Sequence, residues 1–450
     1  MELREQINIA LNLKNKLNFK KVNAFNINLY PLIRLSFFIH LIRVDYVFKH
    51  TFKKRLYELF LSCYYYFISN IKGHKLKPKF DNLFLTYSTF KRNKVNDKWF
   101  DLYVDSFILK NNLQDKSAIL EVPQRGIYKN PKTFPSSYLN PFLQVKARLY
   151  GFWFPQKIKN LDFDTLNIYF KEYKYSMSEK KLGRKIAELN YYKKYFKAIL
   201  LRHDVKKVYV TSFSMNFSMS LLWAANDLGL ETFELQHGSV YENSPYYTNW
   251  NMDINYNLLP KYFLVWDNVQ ANYINSTNNN NFPIGIDDGN SFLEVFKNDM
   301  IDLTEYDVQW ESIINNNNKT VLLILQREDI PGWLSDFIIL NDNINWILRT
   351  HPGLNNDNYI LNMPNISSIL THNHVFCNEF KNFILFYLLK KINCLVAWKS
   401  TTIIEASLFN KKSIMLTDQG IEYFQSLLDS KMLVMANKLE TFQKALKDII

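Results

Sequence analysis

"KKVYVTSFSMNFSMSLLWAANDLGLETFELQHG", residues 206–238, sets the fold class. Two lysines lead into an apolar run, Val208–Val210, that gives way to Thr and Ser. Residues 218–230 then carry apolar side chains at helical spacing and stop at Gly229. A second apolar run begins at Glu231 and ends in Gln236, His237 and Gly238. Strand, helix and strand at this spacing predict a βαβ unit, the building block of a parallel sheet. Ligands of such sheets bind beyond the carboxyl ends of the strands. Gln236, His237 and Gly238 fall at that place, with Ser212 and Ser214 closing the preceding strand.

The alternation extends in both directions. Upstream, "NLFLTYSTF" (82–90) and "SAILEVP" (117–123) read as strands, and 161–203 as a long charged helical stretch. Downstream, "YFLVWDNVQANYI" (262–274) reads as a strand and a helix. "NSTNNNNFPIGIDDGN" (275–290) is rich in Asn, with Pro283, Gly285 and Gly289, and reads as a linker. Beyond it the pattern resumes: strands in "KTVLLILQRED" (319–329), "DNINWILRTHPG" (342–353), "NCLVAWKS" (393–400) and "KKSIMLTD" (411–418). Helices are expected in "FKNFILFYLLKK" (380–391) and "TTIIEASLFN" (401–410). The expected division is a helical N-terminal segment (1–75), a first α/β domain (76–280) and a second (281–450), with a cleft between the two α/β domains.

Composition narrows the partners. The chain has 450 residues, 47% of them hydrophobic, enough for sizeable cores. The net charge is +13, which favours phosphate-bearing partners. No zinc-finger spacing or compact basic run points to nucleic acid. Cys63, Cys377 and Cys394 lack metal-ligand spacing and fit a reducing cytoplasm. The start, "MELREQINIALNLKNK", lacks the apolar core of a secretory signal. No run of eighteen apolar residues occurs, so a soluble or peripheral protein is expected. The aromatic, basic stretch in 30–61 has two readings: a helix packed on its own domain, or an interfacial helix on anionic lipid.

Several constellations carry chemistry. Ser400, Thr401 and Thr402 fall at a strand-to-helix junction, where backbone N–H groups and hydroxyls can hold an anion. Glu405, one turn on, could accept bonds from ribose hydroxyls; simple helix capping is the plainer reading. His351 and Pro352 end another strand, with Arg349 two residues earlier, and Gln326 and Arg327 end a third. His237 can be a capped loop residue, a general base or a donor to phosphate. P-loop and dinucleotide-binding glycine patterns are absent. Asp162 and Asp164 read as a solvated helix start, and His372 with His374 lack a third metal ligand.

The order of these features resembles bacterial GT-B glycosyltransferases of capsule and lipopolysaccharide assembly: strand–QHG, linker, strand–LQRE, strand–THPG, strand–KSTTIIEASLFNKKSIML. Related arrangements occur in sialyl- and Kdo-transferases and in teichoic-acid polymerases. The resemblance covers roughly 80–450, most specifically 230–420. It implies an α/β GT-B fold of two Rossmann-like domains facing a cleft. It assigns donor nucleotide and phosphate to His351–Pro352 and Ser400–Thr401–Thr402, ribose to Glu405, and no metal or other cofactor. Sialyltransferases carry an acidic D/E-D/E-G element where this chain has Gln236–His237–Gly238, and the only Asp-Asp-Gly, at Asp287–Asp288–Gly289, lies in the apparent linker.

The expected function is transfer of a sugar from a nucleotide sugar to a growing surface glycan, free or lipid-linked. The expected place is the cytoplasm, with peripheral contact at the inner face of the plasma membrane. His237, with Gln236 and Gly238, forms the expected catalytic loop. Arg349, Arg327 and Gln326 join the donor side. The alternatives are a polyol-phosphate transferase of the teichoic-acid type, a sugar-nucleotide epimerase, and a non-catalytic module binding polysaccharide or membrane.

Overall fold

Strands buried on both faces belong in a parallel sheet covered by helices. "NLFLTY" and "SAILEV" are buried at every position, and they pair in parallel within the first sheet. The computed structural model describes every residue except 1–2, 44–56, 58, 59, 62, 65, 68–75, 77, 78, 124–128, 239, 242, 251–253, 255, 280, 281, 315, 316, 327, 351–359 and 420.

The first sheet has seven strands: β1 (Asn82–Tyr87), β2 (Ser117–Val122), β3 (Ser136–Tyr138), β4 (Lys207–Val210), β5 (Glu231–Leu235), β6 (Tyr262–Val265) and β7 (Ile284–Asp287). Their spatial order is β7-β6-β5-β4-β1-β2-β3, with every pair parallel. The second sheet has six: β8 (Lys319–Ile324), β9 (Ile344–Arg349), β10 (Val375–Phe376), β11 (Cys394–Ala397), β12 (Lys412–Met415) and β13 (Leu433–Met435). Their order is β10-β9-β8-β11-β12-β13, again parallel throughout. Both sheets are doubly wound. The order reverses between β1 and β4 in one and between β8 and β11 in the other, and such reversals open ligand crevices. The chain is therefore a two-domain α/β protein, as expected.

The helices of the first unit used below are α1 (Leu3–Asn12), α2 (Tyr30–Arg43), α3 (Pro141–Trp153), α4 (Phe163–Lys171), α5 (Glu179–Arg202), α6 (Asn216–Asp227) and α7 (Asn268–Thr277). Gly229 ends α6 as expected: at φ +73° it lets its own N–H reach Asn226 O and the next N–H reach Ala225 O. The expected helical stretch 161–203 is two helices, α4 and α5. Asp162 caps α4, accepting from Asp164 N and Thr165 N, which agrees with the reading of a helix start.

Two boundaries differ from expectation. The first unit runs to Phe292 and takes in the N-terminal segment; the second holds Leu293–Ile450 with the hairpin tip Asn93–Asp97. The Asn-rich stretch 275–290 is no linker. It contains the end of α7 and the edge strand β7. Asn275 takes both backbone bonds of Gly285, at 2.8 and 2.9 Å, and Asn278 joins Trp250 N to Pro283 O. Asn side chains here do the work of backbone amides, which composition alone reads as a loop.

Described residues of the N-terminal segment pack into the first unit's core. Phe37 stacks among Phe170, Tyr173 and Tyr175, and α2 is buried along most of its length. Of the two readings of 30–61, the packed helix holds for Tyr30–Arg43. Arg34 is fully buried. Its guanidinium donates to the carbonyls of Pro245, Thr248 and Asn249 at 2.7–3.0 Å and stacks 3.9 Å above Trp250. The loop after His237 is thereby tied to α2.

Candidate functional site at the strand ends

The carboxyl end of β5 holds the first set of groups. Glu234 sits inside the sheet with 1% exposure. Its Oε2 accepts Phe213 N at 3.0 Å, from the turn after β4, and its Oε1 accepts the Tyr247 hydroxyl at 3.2 Å. Burial, reinforced by Glu234, holds the Tyr247 hydroxyl well above the usual tyrosine range, so it stays a donor. Three residues after Glu234, His237 brings Nδ1 to 3.3 Å from Glu234 Oε1. Nδ1 is buried and makes no hydrogen bond, while the side chain keeps 28% exposure, carried by its remaining atoms. Phe90 and Tyr103 set their rings edge-on to the imidazole, and the Tyr103 hydroxyl donates to His237 O at 3.1 Å. A buried carboxylate thus stands beside a partly exposed imidazole without a formed hydrogen bond between them.

Gln236 has a different place. Its Nε2 donates to Gly238 O at 2.7 Å and to Gln270 Oε1 at 2.5 Å, and its Oε1 accepts Trp266 N at 2.9 Å. The amide is consumed in joining β5, β6 and α7. Gly238 has open space around the position of a Cβ. A small, open depression lies beside these residues, lined by Tyr103, Phe107, Gln236, Trp266, Asp288 and Phe292.

In the second unit the strand ends at the reversal meet. Gln326 Nε2, after β8, donates to Lys399 O, after β11, at 2.8 Å. Ser400 Oγ donates to Thr402 Oγ1 at 3.1 Å and accepts Thr402 N at 3.3 Å, opening helix α9 (Thr402–Leu408). Thr401 is exposed and makes no side-chain cap bond. Arg349 ends β9 and donates to Phe383 O at 2.8 Å. Burial lowers its guanidinium to about 10, with Glu405 opposing that shift, so the side chain stays charged at neutral pH. Gln326, Arg349, Ser400, Thr401, Thr402 and Glu405 thus fall at strand ends or in α9. His351, Pro352 and Arg327 lie outside the described residues.

A third cluster escaped the sequence. At the carboxyl ends of β1 and β2, Lys91, Asp101, Asp105 and Glu121 are fully buried, with Lys132 nearly so. Lys91 Nζ lies 3.3 Å from Glu121 and 3.6 Å from Asp101, and Lys132 Nζ lies 2.9 Å from Glu121. Burial opposes the charge of Glu121, but Lys91 and Lys132 outweigh it and draw its pKa down to about 2. Burial pushes Asp105 up to about 8 against the pull of Lys91, and pulls Lys132 down to about 8 against Glu121. Glu234 and Glu121 were both missed for one reason. Each is an acid beside apolar residues near a strand's carboxyl end, and that interruption was the available signal.

Among the described residues no group of three His, Cys, Asp or Glu side chains is arranged to hold a metal. His374 Nε2 is bonded to Ile338 O at 2.9 Å. No described helix is long and apolar enough to cross a membrane. The stretch "FKNFILFYLLKK" packs into the second unit. Its helix, α8 (Leu385–Lys391), buries Phe386, Tyr387, Leu388 and Leu389.

No family model matches the sequence, and no curated protein matches it. Solved structures do. UDP-GlcNAc 2-epimerase from Neisseria meningitidis, bound to UDP-GlcNAc, is 13% identical with a TM-score of 0.50, over 81% of this chain and 90% of that one. The fold is of the GT-B type. The UDP-GlcNAc 2-epimerase of Methanocaldococcus jannaschii matches at 12% identity and a TM-score of 0.47, over 82% and 92%. The wall teichoic acid polymerase TagF matches at 9% and 0.44, over 87% and 88%.

Proposed function

We propose that this GT-B protein is a glycosyltransferase that moves a sugar from a nucleotide-sugar donor to a surface glycan of the capsule or lipopolysaccharide kind. The observation that carries the reading is the Glu234–His237 pair at the carboxyl end of β5. A turn of the imidazole would bring Nδ1–H onto the Glu234 carboxylate 3.3 Å away and leave the free lone pair on Nε2. That nitrogen takes the proton of an acceptor hydroxyl as its oxygen bonds to the sugar's anomeric carbon. The bond from that carbon to the nucleotide's phosphate breaks, and the nucleotide leaves with the electron pair. Arg349 supplies positive charge on the donor side, and the Ser400–Thr402 turn supplies hydroxyl and N–H donors for phosphate. Glu405 is the candidate for the ribose hydroxyls.

A second reading is a sugar-nucleotide epimerase. The similar Neisseria structure carries UDP-GlcNAc, which favours a nucleotide-linked sugar here under either reading. A polyol-phosphate transferase would use a related donor. Thermal-shift measurements against UDP-, CMP-, GDP- and CDP-linked compounds identify the donor, since a ligand of the folded state alone raises the melting temperature. Product analysis with that donor and glycan acceptors then separates the readings. A new glycosidic bond supports transfer, an isomerised donor without acceptor supports the epimerase, and a phosphodiester supports the polyol reading. Failure of every nucleotide compound to raise the melting temperature overturns all three.

A further inference from the structure

The helix α3 ends in Phe152, Trp153, Phe154 and Pro155, and all four are exposed. The three rings show 52%, 69% and 64% of their surface, and Leu149, one turn earlier, shows 55%. Consecutive exposed apolar side chains at a helix end are costly in water unless something covers them.

The turn is built to stay out. Phe154 N donates to Tyr150 O at 2.8 Å, and Gln156 N donates to Gly183 O of α5 at 3.1 Å. Lys159 exchanges backbone bonds with Asn23 at 3.1 and 3.3 Å. Arg184 stacks 4.3 Å from the Phe152 ring. At the crossing, a Cβ on Gly151 would lie 2.6 Å from Arg184 O, and one on Gly183 would lie 2.2 Å from Gln156 O. A backbone bound on both flanks has no slack to fold the rings back onto the protein.

Charge selects the occupant. Residues 141–160 contain no carboxylate side chain, and Lys146, Arg148, Lys157 and Lys159 are all exposed. The flanking acids are Asp162, engaged as the cap of α4, Asp164 in its first turn, Glu179, which accepts Ile158 N at 3.4 Å, and Glu188 of α5, which accepts the Tyr192 hydroxyl at 2.9 Å. A second copy docked through the same patch by a two-fold axis would set these cations against themselves. Aromatic rings among lysines and arginines match the boundary of an anionic bilayer, where rings enter the headgroup region and cations meet phosphates.

We infer that the Phe152–Pro155 turn is a membrane-docking surface that seats this protein on anionic lipid. This surface is distinct from the 30–61 stretch that the sequence put forward. It does not depend on which reaction the protein performs.

The test is flotation with vesicles of phosphatidylcholine alone and with roughly one-third phosphatidylglycerol. The wild-type protein floats with the anionic vesicles and stays down with the neutral ones. The triple variant Phe152→Ser, Trp153→Ser, Phe154→Ser keeps its melting temperature and loses roughly tenfold or more in partitioning. Trp153→Phe still floats but loses part of the tryptophan quenching by brominated lipid. The proposal is overturned if the triple variant floats like wild type, if wild type ignores anionic vesicles, or if the patch instead drives self-association that the triple variant abolishes. Nucleotide binding measured on the same proteins stays unchanged and keeps this outcome separate from the proposed reaction.

Discussion

Nδ1 of His237 lies 3.3 Å from Oε1 of Glu234, a carboxylate that also accepts Phe213 N and the Tyr247 hydroxyl. These bonds leave the carboxylate little freedom to move, so the imidazole answers to a fixed charge. Replacing His237 by Ala removes the proposed base and is expected to lower turnover by about 10²–10⁴-fold while nucleotide affinity holds. Glu234→Gln keeps the shape but can present an N–H to Nδ1, which favours the wrong tautomer. A loss of roughly ten- to a hundredfold in kcat, with little change in KM, is expected. Equal kcat in folded Glu234→Gln protein would remove the carboxylate from the mechanism.

Arg34 is the buried cation that fixes the loop beyond this pair. Its guanidinium donates to three carbonyl oxygens and lies against the Trp250 and Tyr30 rings. Arg34→Met strands those carbonyls in the core and should cost about 3 kcal/mol or more. Arg34→Lys should rescue little, because an ammonium has neither the fork nor the flat face. Urea unfolding of the three proteins, compared at constant m-value, checks both statements.

The strands of both sheets were legible because burial on two faces writes itself as continuous apolar runs. "NLFLTY", "KTVLLI" and "CLVA" fall where the sequence put them, and so does the helix stop at Gly229. The edge strands were not legible. Ile284–Asp287 is four residues set among Asn, Pro and Gly, and its place depends on Asn275 and Asn278 side chains that no periodicity reveals. At the site, His237 stood out through its strand-end position. Glu234 did not, since its partners come from residues 213 and 247, and only the fold brings them to it.

The buried cluster below the β1 and β2 ends gives stability a distinctive pH dependence. Asp105 has its folded pKa raised to about 8 by burial. Its contribution is therefore complete below the ordinary carboxylate pKa near 4 and is lost as pH rises through about 8. Glu121, drawn down to about 2, works the other way: its contribution is present above its ordinary pKa and is lost as acid takes the pH through about 2. Lys132, lowered to about 8, contributes fully above its ordinary lysine pKa and loses that contribution as pH falls through about 8. Unfolding free energy should fall between pH 5 and 8 with a slope up to about 1.4 kcal/mol per pH unit from Asp105 alone. Asp105→Asn should flatten that slope, because the neutral amide has no proton to lose. Chemical denaturation across this range, for both proteins, reads it directly.

The seating of the chain after α3 against α5 depends on having no side chain at Gly183. A Cβ there would stand 2.2 Å from Gln156 O, a backbone atom that cannot swing aside as a side-chain tip would. Gln156 N already donates to Gly183 O, so separating the helices also breaks that bond. Gly183→Ala gains helix propensity of less than about 1 kcal/mol. The overlap costs about 1–3 kcal/mol and should win. A lowered melting temperature is expected, with proteolysis beginning near residues 152–160 where the turn loses its brace. Unchanged melting would mean that α3 can lift from α5 freely, and the rigidity assigned to the Phe152–Pro155 turn would go with it.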